Sequence, residues 1–383
     1  MTFDFDIVID RGTSDSRKWH KYAGRDVLPL WIADMDFAAP PAVCEALHRR
    51  VDHGVFGYGM ALAPLTEAVV NHCAGHYHWT IDPSWIVWIP GLVPGLNLAA
   101  TAFGEKGDAV MTATPVYAPF MSAPRNAGRE TIRVPLVPRA DGRYAFDWDA
   151  MERAVTPRTR ILFLCNPHNP VSRVFTRVEL EQVAAFCERH DLVLVSDDIH
   201  CDLILDDLPH IPIAGLSPAV AARTITLMAP SKTYNIPGLA CSFAVIAEPK
   251  LRSAFTKAMA GIIPEMNVLG YAACEAALRD SEPWRQALIA YLRGNRDLIA
   301  GFVRDQLPGV SLTPCEATYL AWLDVTALGL PHPGDFFEQH GVGLSDGLTF
   351  GAPAGRFVRL NFGCPRSTLT EALNRMKRSL AAR

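Results

Sequence analysis

The feature that most constrains this chain is a series of short, near-continuously apolar runs separated by helix-patterned stretches. Ala109-Val-Met-Thr, Ile161-Leu-Phe-Leu-Cys, Val193-Leu-Val-Ser and Thr224-Ile-Thr-Leu-Met lack the polar alternation of a strand with one wet face. Strands buried on both faces need helices on both sides, which is the condition for a mostly parallel sheet. Between the second and third runs, Val178, Leu180, Val183, Ala184 and Cys187 fall on one helical face of Arg177 to His190. An α/β fold is therefore expected.

The length of 383 residues exceeds the usual limit of roughly 250–300 residues for one core, so two domains are expected. The first 45 residues form a poorly periodic arm, rich in Asp, Arg and Trp, that joins part of the small domain. Residues 46–280 are read as the large domain, and 281–383, opening on a long helix from Trp284 to Gln306, as a smaller α+β domain. Ile86 to Phe103 is uncharged for eighteen residues, but Pro90, Gly91, Pro94 and Gly95 would break a membrane-spanning helix. A buried strand, a turn and a buried helix are expected there instead. The net charge of −4 is spread without a basic tract, so nucleic acid is not an expected partner. Nine scattered cysteines with no C-x-x-C pair, and an acidic start without a leader pattern, suggest a cytoplasmic protein.

In open α/β sheets, ligands bind beyond the carboxyl ends of the strands. Cys165-Asn-Pro-His-Asn-Pro170 follows the second run, Ser196-Asp-Asp-Ile-His200 ends the third, and Ala229-Pro-Ser-Lys232 follows the fourth. They offer an amide (Asn169), a carboxylate (Asp197) and an amine (Lys232). A pyridoxal cofactor needs this trio. The amine holds it as a Schiff base and later moves the substrate α-proton. The carboxylate keeps the ring nitrogen protonated, and a neutral donor fixes the phenolic oxygen. Just past a buried strand, Lys232 should be partly desolvated, which disfavours its ammonium form.

Asn169-Pro, Ser196-Asp-Asp-Ile-His200 and Pro230-Ser-Lys-Thr-Tyr-Asn-Ile-Pro-Gly238 resemble fold-type I pyridoxal-phosphate (PLP) enzymes of the class I/II aminotransferase group. Leu28-Pro-Leu-Trp-Ile-Ala-Asp-Met-Asp-Phe37, Val55-Phe-Gly-Tyr58, Ile199-His-Cys-Asp-Leu203 and Arg359-Leu-Asn-Phe-Gly-Cys-Pro-Arg366 resemble its cystathionine β-lyase branch, the PatB/MalY-type C–S lyases. The resemblance covers nearly the whole chain. It implies a mostly parallel seven-stranded sheet in the large domain, pyridoxal 5′-phosphate as cofactor, and a homodimer with shared active sites. It implies Tyr117 stacked on the cofactor ring, and Gly91, Leu92 and Val93 as the turn that holds the phosphate, with Ser231 as a further phosphate ligand. Tyr58 would reach the phosphate of the partner subunit, and His200 would sit near the phenolic oxygen. Arg359 would fork onto the substrate carboxylate, and Trp31 would border the substrate.

The implied activity is an elimination that converts L-cystathionine or a related cysteine S-conjugate to a thiol, pyruvate and ammonia. Tyr58, Tyr117 and Lys232 are the candidates to protonate the leaving thiolate. An aminotransferase using the same trio is the alternative; a catalytically weak regulatory protein on the same fold is the second. Three departures stand out: Ala240 lies eight residues beyond Lys232, where many aminotransferases carry an arginine for the phosphate; the turn after Asn169 reads Pro-Val-Ser; and Lys18-Trp-His20 lacks the more usual final acid. No metal is expected. His72, His76 and His78 lack the glutamate of a zincin motif, and strand alternation would send Asp197 and Asp198 to opposite faces.

Overall fold

The computed structural model describes residues 3–382. Seven strands make the main sheet: β1 (Ile86–Ile89), β2 (Ala109–Thr114), β3 (Glu130–Pro135), β4 (Thr159–Cys165), β5 (Val193–Asp197), β6 (Thr224–Met228) and β7 (Ser242–Val245). Their spatial order is β1-β7-β6-β5-β4-β2-β3. β7 runs antiparallel to both its neighbours, and the remaining pairings are parallel. β2 and β6 are buried at every residue, which is why their sequences show no alternation.

The four apolar runs and the helix of 177–190 form as expected, and Ile86 to Phe103 becomes β1, a turn and helix α1 (Leu92–Ala102). Among the described residues no helix is long and apolar enough to cross a membrane. The seven strands match the number that the resemblance implies, but β3 and β7 were not located in the sequence. β3 lies at the sheet edge with a mixed, largely exposed pattern, and β7 has only four residues, too few to show a period.

Register sets up the site. Cys165 at the end of β4 pairs with Asp197 at the end of β5, and Asp197 pairs with Leu227 near the end of β6. The segments carrying Asn169, Asp197 and Lys232 therefore leave the sheet side by side at one edge.

A second, four-stranded antiparallel sheet is built from β8 (Ser311–Leu312), β9 (Leu320–Asp324), β10 (Ser345–Asp346) and β11 (Phe357–Asn361), in the order β8-β9-β11-β10. The long helices Glu282–Gln306 and Arg366–Ala381 share one apolar core with it. The N-terminal arm joins this half: Leu28–Pro29 pairs with Val342–Gly343, and Phe5 packs edge-on against Trp284 at 5.5 Å. A division after residue 280 falls between helices Val268–Asp280 and Glu282–Gln306, whereas one after residue 45 falls inside the helix Pro41–Asp52.

A buried ion-pair network ties the β4 loop to the second sheet. Arg173, 2% exposed, bonds Glu179 at 2.8 Å and Glu316 at 3.0 Å. Glu179 also closes a capping box with Thr176 at the start of helix Arg177–Arg189. Arg173→Met leaves two buried carboxylates short of their inner partner and is expected to cost about 3–5 kcal/mol. The midpoint of thermal unfolding should fall clearly; an unchanged midpoint would contradict this role.

Candidate active site

Where the sheet's carboxyl edge meets the arm and the second sheet there is a cavity of about 640 Å³. Asn169, Asp197, His200, Ser231 and Lys232 reach it from the loops after β4, β5 and β6. Gly91, Leu92 and Val93 reach it from the start of α1, Tyr117 from the segment after β2, Trp31 from the arm and Arg359 from β11. Every candidate residue is thus in one place except Tyr58, which is 97% exposed and lies outside this cavity. Among the chain's lysines, only Lys21 and Lys232 line it, and Lys21 is paired with Glu338 at the rim.

The polar groups inside are poorly satisfied. Burial pushes the Asp197 carboxyl up to about 7, against the Ile199 N–H it accepts at 3.2 Å; Asp198 adds to the rise and Lys232 opposes it. Burial drives Lys232 down to about 8, with Asp34 and Asp197 opposing the fall and Arg359 adding to it. Its Nζ donates to the Ala33 carbonyl. Near neutral pH the ammonium form still dominates, but a far larger fraction of this amine than of an ordinary lysine is unprotonated and nucleophilic. Burial also lowers His200 to about 3, assisted by the Lys232 and Arg359 charges, so its ring is neutral, and its Nδ1 has no partner.

Arg359 is buried, and burial lowers its guanidinium to about 10. It donates to Asn169 Oδ1 at 2.9 Å and the Trp31 carbonyl at 2.7 Å, and lies over the Phe350 ring at 4.6 Å. Its Nε has no partner, and among the described residues no carboxylate lies within ion-pair distance. Ser345 donates to the same Trp31 carbonyl at 2.6 Å. Ser345 and Phe350 were not singled out in the sequence, since their proximity to Arg359 depends on how β10 and the turn after it fold back.

The carboxylates near β5 disperse. Asp197 enters the cavity, Asp198 meets His210 at 2.9 Å, and Asp202 meets His72 at 3.0 Å. His72 is buried by this pairing, not on an exposed helix face, and His76 stacks on it at 4.2 Å.

Residues 25–376 match the family model for aminotransferase class I and II. Cystathionine beta-lyase PatB of Bacillus subtilis (strain 168) is 36% identical over 387 residues, covering 99% of this chain and 100% of PatB. The chain belongs to the class I and II aminotransferase family. The crystal structure of OvoB is 47% identical with a TM-score of 0.96, and cystalysin from Treponema denticola, solved with pyridoxal 5′-phosphate, is 32% identical with a TM-score of 0.96. Each covers 100% of both chains. This family member is a PLP enzyme of fold type I, and its activity is that of a carbon–sulfur β-lyase.

The raised Asp197 pKa fixes a pH signature for the cofactor-free protein. Unfolded aspartate ionises near pH 4, while the native group keeps its proton to about 7. Between these values the native state binds more protons, so stability is lost as pH rises. Burial of His200 acts with the opposite sign over part of this range, so the difference between two proteins is what isolates Asp197: the thermal midpoint of the cofactor-free protein minus that of its Asp197→Asn variant should fall from pH 5 to pH 7.5. A difference that does not change with pH would contradict the assignment.

Proposed function

We propose that the chain cleaves the Cβ–S bond of L-cystathionine or a related cysteine S-conjugate, giving a thiol, pyruvate and ammonia, at the cavity around Lys232. The observation that carries this reading is a half-buried amine, a buried carboxylate and a buried guanidinium that faces no anion among the described residues, all lining one cavity.

The residues fit the cofactor. Asp197 accepts one backbone N–H and has capacity left for a ring-nitrogen cation. Asn169 gives its Oδ1 to Arg359, which frees its amide N–H groups for the phenolic oxygen, beside neutral His200. The first-turn N–H groups of Leu92 and Val93 precede any helical acceptor and suit a phosphate, with Ser231 as a hydroxyl donor. Ala240 lines the cavity without adding charge, so the phosphate depends on these neutral donors.

When bound, pyridoxal phosphate supplies a carbonyl carbon that condenses with amines and a cationic ring that draws electrons from the substrate α-carbon. Lys232 would hold it through Nζ, and the same amine would take the substrate α-proton. Asp197 would supply the negative charge that keeps the ring nitrogen protonated. Arg359 binds the substrate carboxylate through the N–H that now lacks a partner, which also orients the α-proton toward Lys232. Trp31 borders the substrate, and Tyr117, with its phenol raised by burial, retains a proton to give to the leaving sulfur.

The assembly is read as a homodimer. Val55, Phe56, Tyr58, Met60 and Leu62 form an exposed apolar run, the kind of surface that a second copy covers, and Tyr58 on that run would complete the partner's site. Unpaired thiols throughout fit a cytoplasmic setting.

PLP-loaded protein given L-cystathionine, with no 2-oxo acid added, should release pyruvate and free thiol in equal amounts over many turnovers, and Lys232→Ala should abolish both. Stoichiometric conversion of the cofactor to its amino form, reversed by a 2-oxo acid, would make the chain an aminotransferase instead. Light scattering should give the mass of two chains, and Tyr58→Asp should both weaken the assembly and lower turnover.

A further inference from the structure

The mouth of the cavity carries charges that the chemistry at Lys232 does not use, and most satisfy one another. Glu338 accepts from Lys21 at 3.1 Å, Arg25 at 2.9 Å and Tyr22 at 3.0 Å. Asp346 accepts the backbone N–H groups of Leu348 at 2.9 Å and Gly334 at 3.3 Å. Arg17 and Asp335 are different. Both line the mouth and both are exposed, yet among the described residues neither makes a hydrogen bond, ion pair or ring contact.

The position of Arg17 follows from its neighbour. Lys18 is buried beneath the arm, with Nζ 2.7 Å from Asp36 and 3.1 Å from the Asp34 carbonyl, and its own carbonyl accepts from Trp31 Nε1 at 3.1 Å. Successive residues of a helical turn point in different directions, so fixing Lys18 inward turns Arg17 toward the cavity. Arg17 is near enough to Tyr117 for its charge to oppose the upward push of burial on that phenol. Asp335 stands on the short helix Pro333–Gln339, beside the satisfied Glu338.

We propose that Arg17 and Asp335 form a distal subsite for the leaving group, selecting cysteine S-conjugates whose sulfur carries a second α-amino acid. The inference rests on the lyase reading and extends it to the far end of the substrate. The guanidinium takes the distal carboxylate and the Asp335 carboxylate takes the distal ammonium. A plain S-alkyl group offers neither charge. Because both side chains are solvated, each contact is worth far less than a buried pair, and discrimination of about two- to fivefold per residue is expected.

The test compares L-cystathionine with S-ethyl-L-cysteine, a thioether without distal charges, on PLP-loaded enzyme. Rates come from pyruvate release and dissociation constants from the change in cofactor absorbance. Arg17→Gln and Asp335→Asn should each lower the ratio of kcat/KM for L-cystathionine to that for S-ethyl-L-cysteine by about two- to fivefold, mainly through KM for L-cystathionine. A ratio unchanged in both variants, including a parallel loss on both substrates, overturns the subsite. If the unaltered enzyme releases no pyruvate from either compound, the lyase reading itself fails. The ratio of dissociation constants then decides separately: a similar shift in the variants supports the subsite, and no shift overturns it.

Discussion

Arg359 is a buried cation that faces no anion among the described residues, and much of the structure around it serves to hold it there. Burying an ion costs several kcal/mol even after relaxation. Part of that cost is offset by hydrogen bonds to Asn169 and the Trp31 carbonyl and by the Phe350 ring beneath it. These partners come from the β4 loop, the N-terminal arm and the segment after β10. A single guanidinium on β11 therefore ties the second sheet, the first sheet and the arm into one cavity. The charge left over is what a substrate carboxylate would meet in the proposed reaction.

The same dryness tunes the opposite end of the site. Burial raises Asp197 to about 7 and lowers Lys232 to about 8, so the acid and the amine approach each other in proton affinity from opposite directions. A carboxylate held this way needs a cation, and an amine held this way gives up its proton readily. Both needs fit a protonated heterocycle bearing a carbonyl group. The geometry that permits this is modest: three strands in register, with Asp197 at the end of one and Asn169 and Lys232 in the loops just beyond the other two.

Much of this was legible in the sequence because strand ends are local features. Apolar runs marked β2, β4, β5 and β6, and the polar clusters after them carried Asn169, Asp197 and Lys232. The edge strand β3 and the short β7 were not legible, since an exposed strand and a four-residue strand both lack a diagnostic period. Ser345 and Phe350 were missed for another reason. Nothing about a serine or a phenylalanine in isolation signals contact with an arginine that the fold brings across from a neighbouring strand. The pairing of His72 with Asp202 joins residues 130 positions apart, so nothing in the local histidine pattern pointed to it. Tyr58 stays exposed in the single chain, and the role proposed for it would depend on a second copy.

The most direct measurement is reductive trapping. PLP-loaded protein is treated with borohydride, digested, and searched by mass spectrometry for the lysine that bears the pyridoxyl phosphate group. The expected result is the label on the peptide containing Lys232, with loss of the visible cofactor band. Label on Lys21 or any other lysine, or no label at all on protein that retains the band, would contradict the central assignment.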